Sequence, residues 1–103
     1  MITAEKMPSF PGGDLAMYAF LNDQIRYPRL AKEKGTEGKV YLQFVVQPNG
    51  TLANIKVLRG LGDGCDEEAI RLVEQMPTWI PAEQEGRKVP LYYTLRVIFK
   101  LQR

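Results

Sequence analysis

The sequence predicts an α+β domain, a two-layer α/β sandwich in which a three-stranded antiparallel sheet of order 2-1-3 carries two helices on one face. Three observations predict it. Two alternating apolar runs flank a Pro48-Asn49-Gly50 turn and mark a β-hairpin. Stretches with apolar residues at helical spacing lie on either side of that hairpin. A third alternating run closes the chain, and a right-handed crossover from the hairpin returns it beside the first strand.

In order, residues 1–13 are irregular, with Pro8, Pro11, Gly12 and Gly13 as breakers, and residues 14–103 form the domain. Asp14 is placed to cap a helix over Leu15 to Ile25, in which Met17, Phe20, Leu21 and Ile25 carry the apolar spacing. Pro28 stops that helix and can open a second, Arg29 to Lys34, closed by Gly35. Gly38 opens a strand with Val40, Leu42, Phe44 and Val46 on one face and Tyr41, Gln43 and Val45 on the other. One face is wholly apolar and the other mixed, as in a sheet covered on one side. The return strand, Leu52 to Arg59, presents Ala53, Ile55 and Val57 together.

A loop over Gly60 to Gly64 leads to a helix from Cys65 to Met76, with Cys65, Ala69, Leu72, Val73 and Met76 on one stripe. Asp63 or Asp66 can cap it, and Asp66, Glu67 and Glu68 complement the positive end of its dipole. Pro77 ends it. A connection carrying Trp79 and Pro81 reaches Gly86, and the last strand runs from Val89 to Leu101.

Composition narrows the chemistry. The 103 residues include no His and one Cys, Cys65; Ser9 is the sole serine. A Ser-His-Asp triad, a Cys-His dyad and a histidine-ligated metal site are all excluded. The chain therefore reads as a binding module and not an enzyme, with no cofactor and no metal. Its net charge of +2 is too small for a nucleic-acid footprint. No stretch approaches the roughly 18 apolar residues of a membrane span. The first residues lack a signal-peptide layout, so the chain reads as cytoplasmic or as a soluble piece of a longer protein.

Several motifs reduce to structure. Gly60-Leu61-Gly62-Asp63-Gly64 lacks the third glycine of a dinucleotide loop and puts Asp63 where a pyrophosphate would sit. Asp63, Asp66, Glu67 and Glu68 fan around a helix axis and do not converge on one ion. Cys65 falls on the apolar stripe with no base beside it. Tyr41 and Tyr92 face outward but lack the aromatic consensus of an RNA-binding sheet. The C-terminal strand carries the most weight. It is long, rich in β-branched and aromatic residues, and left at a sheet edge, where an extended peptide can add a strand.

Taken together, Phe10-Pro11-Gly12-Gly13, Tyr27-Pro28, Gly38-Lys39-Val40 with the Pro48-Asn49-Gly50 turn, Asp66-Glu67-Glu68-Ala69 and Met76-Pro77-Thr78-Trp79 resemble the C-terminal domain of TonB, in the version common in Bacteroidetes. The likeness spans residues 7–102 and rests on order and spacing. It implies the periplasmic part of a membrane-anchored energy transducer driven by an ExbB-ExbD motor. It implies that the domain grips the TonB box of outer-membrane transporters by pairing it with the last strand. Gln24, Tyr27 and Pro28 match the family's recognition segment, in which Ile25 stands where the family has proline. The pairing strand maps to Tyr92, Thr94, Arg96, Ile98 and Lys100. The exposed edges also allow a strand-exchanged homodimer. Two rivals remain: the same domain on an envelope sensor peptidase, recognising another envelope protein or peptidoglycan, and a small acyl-phosphate hydrolase, whose arginine-bearing anion loop this chain lacks.

Overall fold

The computed structural model describes residues 4–101. The elements run α1 (Asp14–Gln24), α2 (Arg29–Lys34), β1 (Gly38–Val46), β2 (Leu52–Arg59), α3 (Cys65–Glu74), β3 (Ala82–Gln84), β4 (Arg87–Val89) and β5 (Leu91–Phe99). The main sheet has the expected order, β2-β1-β5, with both pairings antiparallel. One core forms between the helices and one face of the sheet. Val40, Leu42, Phe44 and Val46 of β1 and Leu95, Val97 and Phe99 of β5 meet Met17 and Leu21 of α1, Ala31 of α2 and Cys65, Ala69, Leu72 and Val73 of α3.

Strand β1 buries every second residue, and its nine positions pair with β5 without interruption, from Gly38 opposite Phe99 to Val46 opposite Leu91. Its pairing with β2 is less regular. Gln43 faces Lys56 and Val45 faces Ala53, so Phe44 is opposed by two residues. Asn54 sits there at φ 53°, the left-handed geometry of a bulge. The extra residue reverses the alternation: Leu52, opposite the buried Val46, packs on the core, and Ala53, opposite Val45, turns to the outer face. The expected grouping of Ala53 with Ile55 and Val57 is corrected accordingly.

Other boundaries move for local reasons. Gly13, not Asp14, occupies the cap of α1, and Pro28 is the residue before α2 and not its first. Gly64 caps α3, without a side-chain hydrogen bond from Asp63 or Asp66. Asp66 instead accepts the N–H groups of Leu61 (2.8 Å) and Gly62 (3.3 Å), tying down the loop before the helix. Helix α3 ends at Glu74, two residues early. The connection after Trp79 forms a small hairpin, β3 with β4, turning at Glu85 and Gly86, both at positive φ. Pro90 separates Val89 from the last strand, which runs from Leu91 to Phe99.

Residues 4–13 have no helix or strand of their own but are tied to that hairpin. Lys6 pairs with Glu83 and Ser9 with Ile80 through reciprocal backbone bonds of 2.8–3.1 Å. The tie carries Phe10 into an aromatic cluster. Trp79 meets Phe10, Phe44 and Tyr93 edge-on at 5.9, 5.4 and 4.9 Å. The Pro48-Asn49-Gly50 turn closes on the backbone of the same residue: the Gly50 carbonyl accepts the Trp79 backbone N–H at 2.9 Å, and a Cβ on Gly50 would collide with the Trp79 carbonyl oxygen.

Phe44 is fully buried and touches both Trp79 and Tyr93. Phe44→Ala is expected to cost about 3–5 kcal/mol through the cavity it leaves. The measurement is the urea unfolding midpoint, with the slope unchanged.

Candidate functional site

Strand β5 has a partner on one side only, β1. Which of its backbone groups face the open side follows from alternation. The Gln47 N–H donates to Thr51 across the β1–β2 turn, so odd-numbered residues of β1 aim their backbone at β2 and even-numbered ones at β5. The unbroken register then bonds Val40 to Val97, Leu42 to Leu95 and Phe44 to Tyr93. The N–H and C=O groups of Tyr92, Thr94, Arg96 and Ile98 are thereby turned to the open edge. The Leu101 N–H, which keeps the odd phase, points back toward the β1 side, where the Glu37 carboxylate accepts it at 2.6 Å.

Four of the expected strand residues thus share one property: their backbone lies at the edge and their side chains lie on the outer face, all four exposed. Lys100 falls one residue beyond the strand, a correction to the mapped segment. It borders instead a groove of about 1030 Å³ lined by Asn22, Ile25, Tyr27, Glu37, Ile98 and Leu101. The groove joins the end of α1 to the C-terminal half of β5. It brings Tyr27 close to Ile98 and Lys100 but not to Tyr92, about 20 Å further along at strand rise.

The segment between α1 and α2 is held from behind. The Glu68 carboxylate accepts the Arg26 N–H at 2.7 Å and pairs with Arg71 at 2.7 and 2.8 Å. The Arg71 guanidinium also donates to the Gln24 carbonyl at 2.9 Å. Burial would raise the Glu68 pKa, but the hydrogen bonds from Arg71 and from the Arg26 N–H outweigh it and hold the carboxyl below its usual range. Glu68 and Arg71 were missed as a unit by sequence reasoning. The signal was present: Glu68 lies three residues after Cys65 and four before Leu72, on the buried stripe of α3, with Arg71 one turn on.

The three residues of the matched segment differ in their freedom. Tyr27 is partly buried, with its ring edge-on to Phe99 at 5.7 Å and its hydroxyl donating to the Thr36 carbonyl. Burial raises its pKa, and the neighbouring Cys65 and Glu37 push the same way. Pro28 packs against Gly64, where an added Cβ would come within 2.9 Å of the proline ring. Gln24 is exposed, and among the described residues its amide donates to Asp23 alone. Cys65 is fully buried, and burial, reinforced by Asp66, Asp63 and Glu67, raises its pKa and keeps it a neutral thiol.

Residues 23–101 match the family model described as Gram-negative bacterial TonB protein C-terminal. The chain belongs to the TonB C-terminal domain family. Among curated proteins it is similar to Protein TonB of two Helicobacter pylori strains, 27% identical over 79 residues. That match takes in 74% of this chain but only 28% of those proteins. The fold is similar to the solution structure of the Helicobacter pylori TonB C-terminal domain, with a TM-score of 0.64 and 18% identity, over 86% of this chain and 80% of that one. It is also similar to that of Pseudomonas aeruginosa, with a TM-score of 0.62 and 27% identity, over 79% and 82%. The matched span begins at Asp23 and so takes in both the Gln24–Pro28 segment and β5.

Glu68→Ala leaves the Arg26 N–H and the Arg71 guanidinium without their acceptor, and is expected to cost about 1.5–3 kcal/mol at neutral pH. Because the folded-state pKa of Glu68 is depressed, its contribution is complete above the ordinary glutamate value and is lost as pH falls through the folded one. Urea unfolding of both proteins at neutral and acid pH checks this: the gap between them should narrow in acid.

Proposed function

We propose that this chain is the periplasmic, non-catalytic C-terminal domain of a TonB-type energy transducer, and that it binds the TonB box of outer-membrane transporters by strand addition to β5. The supporting observation is the open edge of β5, where the backbone groups of Tyr92, Thr94, Arg96 and Ile98 lie in one unbroken register. A peptide that pairs there needs no nucleophile, metal or cofactor. Each added main-chain hydrogen bond contributes about 0.5–1.5 kcal/mol, and ordering each peptide residue costs about 1–2 kcal/mol. Side-chain contacts must supply the surplus. The groove beside Tyr27, Ile98 and Lys100 is the nearest place for them, and Gln24 flanks it. Affinity is therefore modest and reversible, as suits a grip that is made and released under load. In this reading the ExbB-ExbD motor engages the membrane-anchored region of the whole transducer, and the proton motive force reaches the transporter as tension along β5.

Titration with a TonB-box peptide, followed by backbone amide shifts, tests the assignment. The largest shifts are expected at Tyr92, Thr94, Arg96 and Ile98; shifts confined to β2 or α3 would sink it. Thr94→Pro removes an outward N–H and should weaken binding at least about tenfold while the fold persists. Leu95→Pro, whose N–H faces β1, should instead unfold the sheet. Equal effects of the two prolines on stability would count against the derived phase of the edge.

A further inference from the structure

The charge on the main sheet is segregated in a way that strand pairing does not require. Strands β1, β2 and β5 hold four of the chain's 14 basic residues and none of its 12 acidic ones. Lys39, Lys56, Arg59 and Arg96 are all exposed, and the register puts all four on the face turned away from the helices. Arg59 and Arg96 lie on either side of Tyr41 in one row across the three strands, Lys56 is opposite Gln43, and Lys39 is opposite Ile98. None of the four has a carboxylate partner among the described residues. The rest of the chain is net acidic, so this face is not a by-product of overall basicity.

The other end of the same face is apolar. Ala53, Val45 and Tyr92 form a row there, and Met7, Val45, Pro90 and Tyr92 border a hollow of about 510 Å³. Tyr92 is 62% exposed, and Ile98, among the cations, is 53% exposed. We propose that the outer face of the sheet docks onto a bilayer rich in anionic phospholipid, with the four cations at the headgroup phosphates and the Tyr92 end in the interface.

The chemistry favours that occupant over a soluble acidic partner. Guanidinium forks suit phosphate oxygens, and a row across three strands that holds two of them on either side of a tyrosine spreads charge over a flat area. Cations near an anionic surface add their attraction and are screened by salt. An acidic peptide would be satisfied by the cations alone and leaves the exposed Tyr92 and the apolar hollow without a role. Aromatic rings with a polar tip suit the boundary between headgroup and acyl chain. The open edge of β5 lies in the plane of the sheet, so a docked face leaves it accessible to a peptide.

Flotation of the full chain with vesicles tests it. Binding is expected to vesicles with roughly one-third phosphatidylglycerol, to be absent with phosphatidylcholine alone, and to be reversed between about 0.05 and 0.5 M salt. The double substitution K56Q/R59Q lies on β2, across the sheet from the open edge. It should lower partitioning at least about tenfold while leaving the urea midpoint and TonB-box affinity unchanged. Spin-labelled lipid should broaden the amides of Val45, Ala53 and Tyr92 and spare α3. Equal binding to neutral vesicles, undiminished binding of K56Q/R59Q, or broadening on α3 would overturn the proposal. So would binding of soluble polyglutamate without vesicle binding, which would make the face a dock for acidic protein.

Discussion

The nine uninterrupted pairs between β1 and β5 are the constraint on which the rest of this domain depends. β1 is bonded on both sides and buries Val40, Leu42, Phe44 and Val46 completely, so it cannot shift by one residue without turning the core outward. That fixes the phase of β5 as well. The residues that fill the core, Leu91, Tyr93, Leu95, Val97 and Phe99, are those whose backbone is used up against β1. The residues between them are left with free backbone and exposed side chains. An open edge and a basic outer face are thus two consequences of one register.

The two ends of the sheet are secured differently. At the Trp79 end the contacts are aromatic: Phe10, Phe44 and Tyr93 gather around Trp79, and residues 4–13 are drawn in by backbone pairing to Ile80 and to Glu83 of β3. At the Tyr27 end they are polar. The Glu68–Arg71 pair holds the Gln24 carbonyl and the Arg26 N–H, and the Tyr27 hydroxyl reaches Thr36. Thr36 in turn donates to Asp63 at 2.6 Å, joining the same end to the loop before α3. Directional bonds suit this end because the chain there is neither helix nor strand, and its backbone groups need partners from elsewhere. The Gln24–Pro28 segment is held in place by a pair on another helix.

Much of this was legible in the order of residues. The hairpin at Pro48-Asn49-Gly50, the breaks at Pro28 and Gly35, and the alternation through β5 are local signals, each with a local physical cause, and the sheet order followed from a rule of connection. Three features were not. The bulge at Asn54 swaps Leu52 for Ala53 on the core face, and nothing in a strand of eight alternating residues announces an insertion. The β3–β4 hairpin is only three residues a side, and Lys6 pairs alongside it at Glu83, from 77 residues away in the chain. Glu68 reads as a residue of the first helical turn until the helix is docked, when it proves buried.

The sequence by itself determined the three helices, the β1–β2 hairpin and the last strand, their order, the lack of histidine and the family, because these depend on neighbours along the chain or on residue types alone. Only the tertiary structure decided which amides of β5 stand free, that Tyr27 and Pro28 are engaged in packing, and that the cations of three strands share one face. Those depend on register and docking between residues tens of positions apart, whose partners cannot be identified until the chain has folded back on itself.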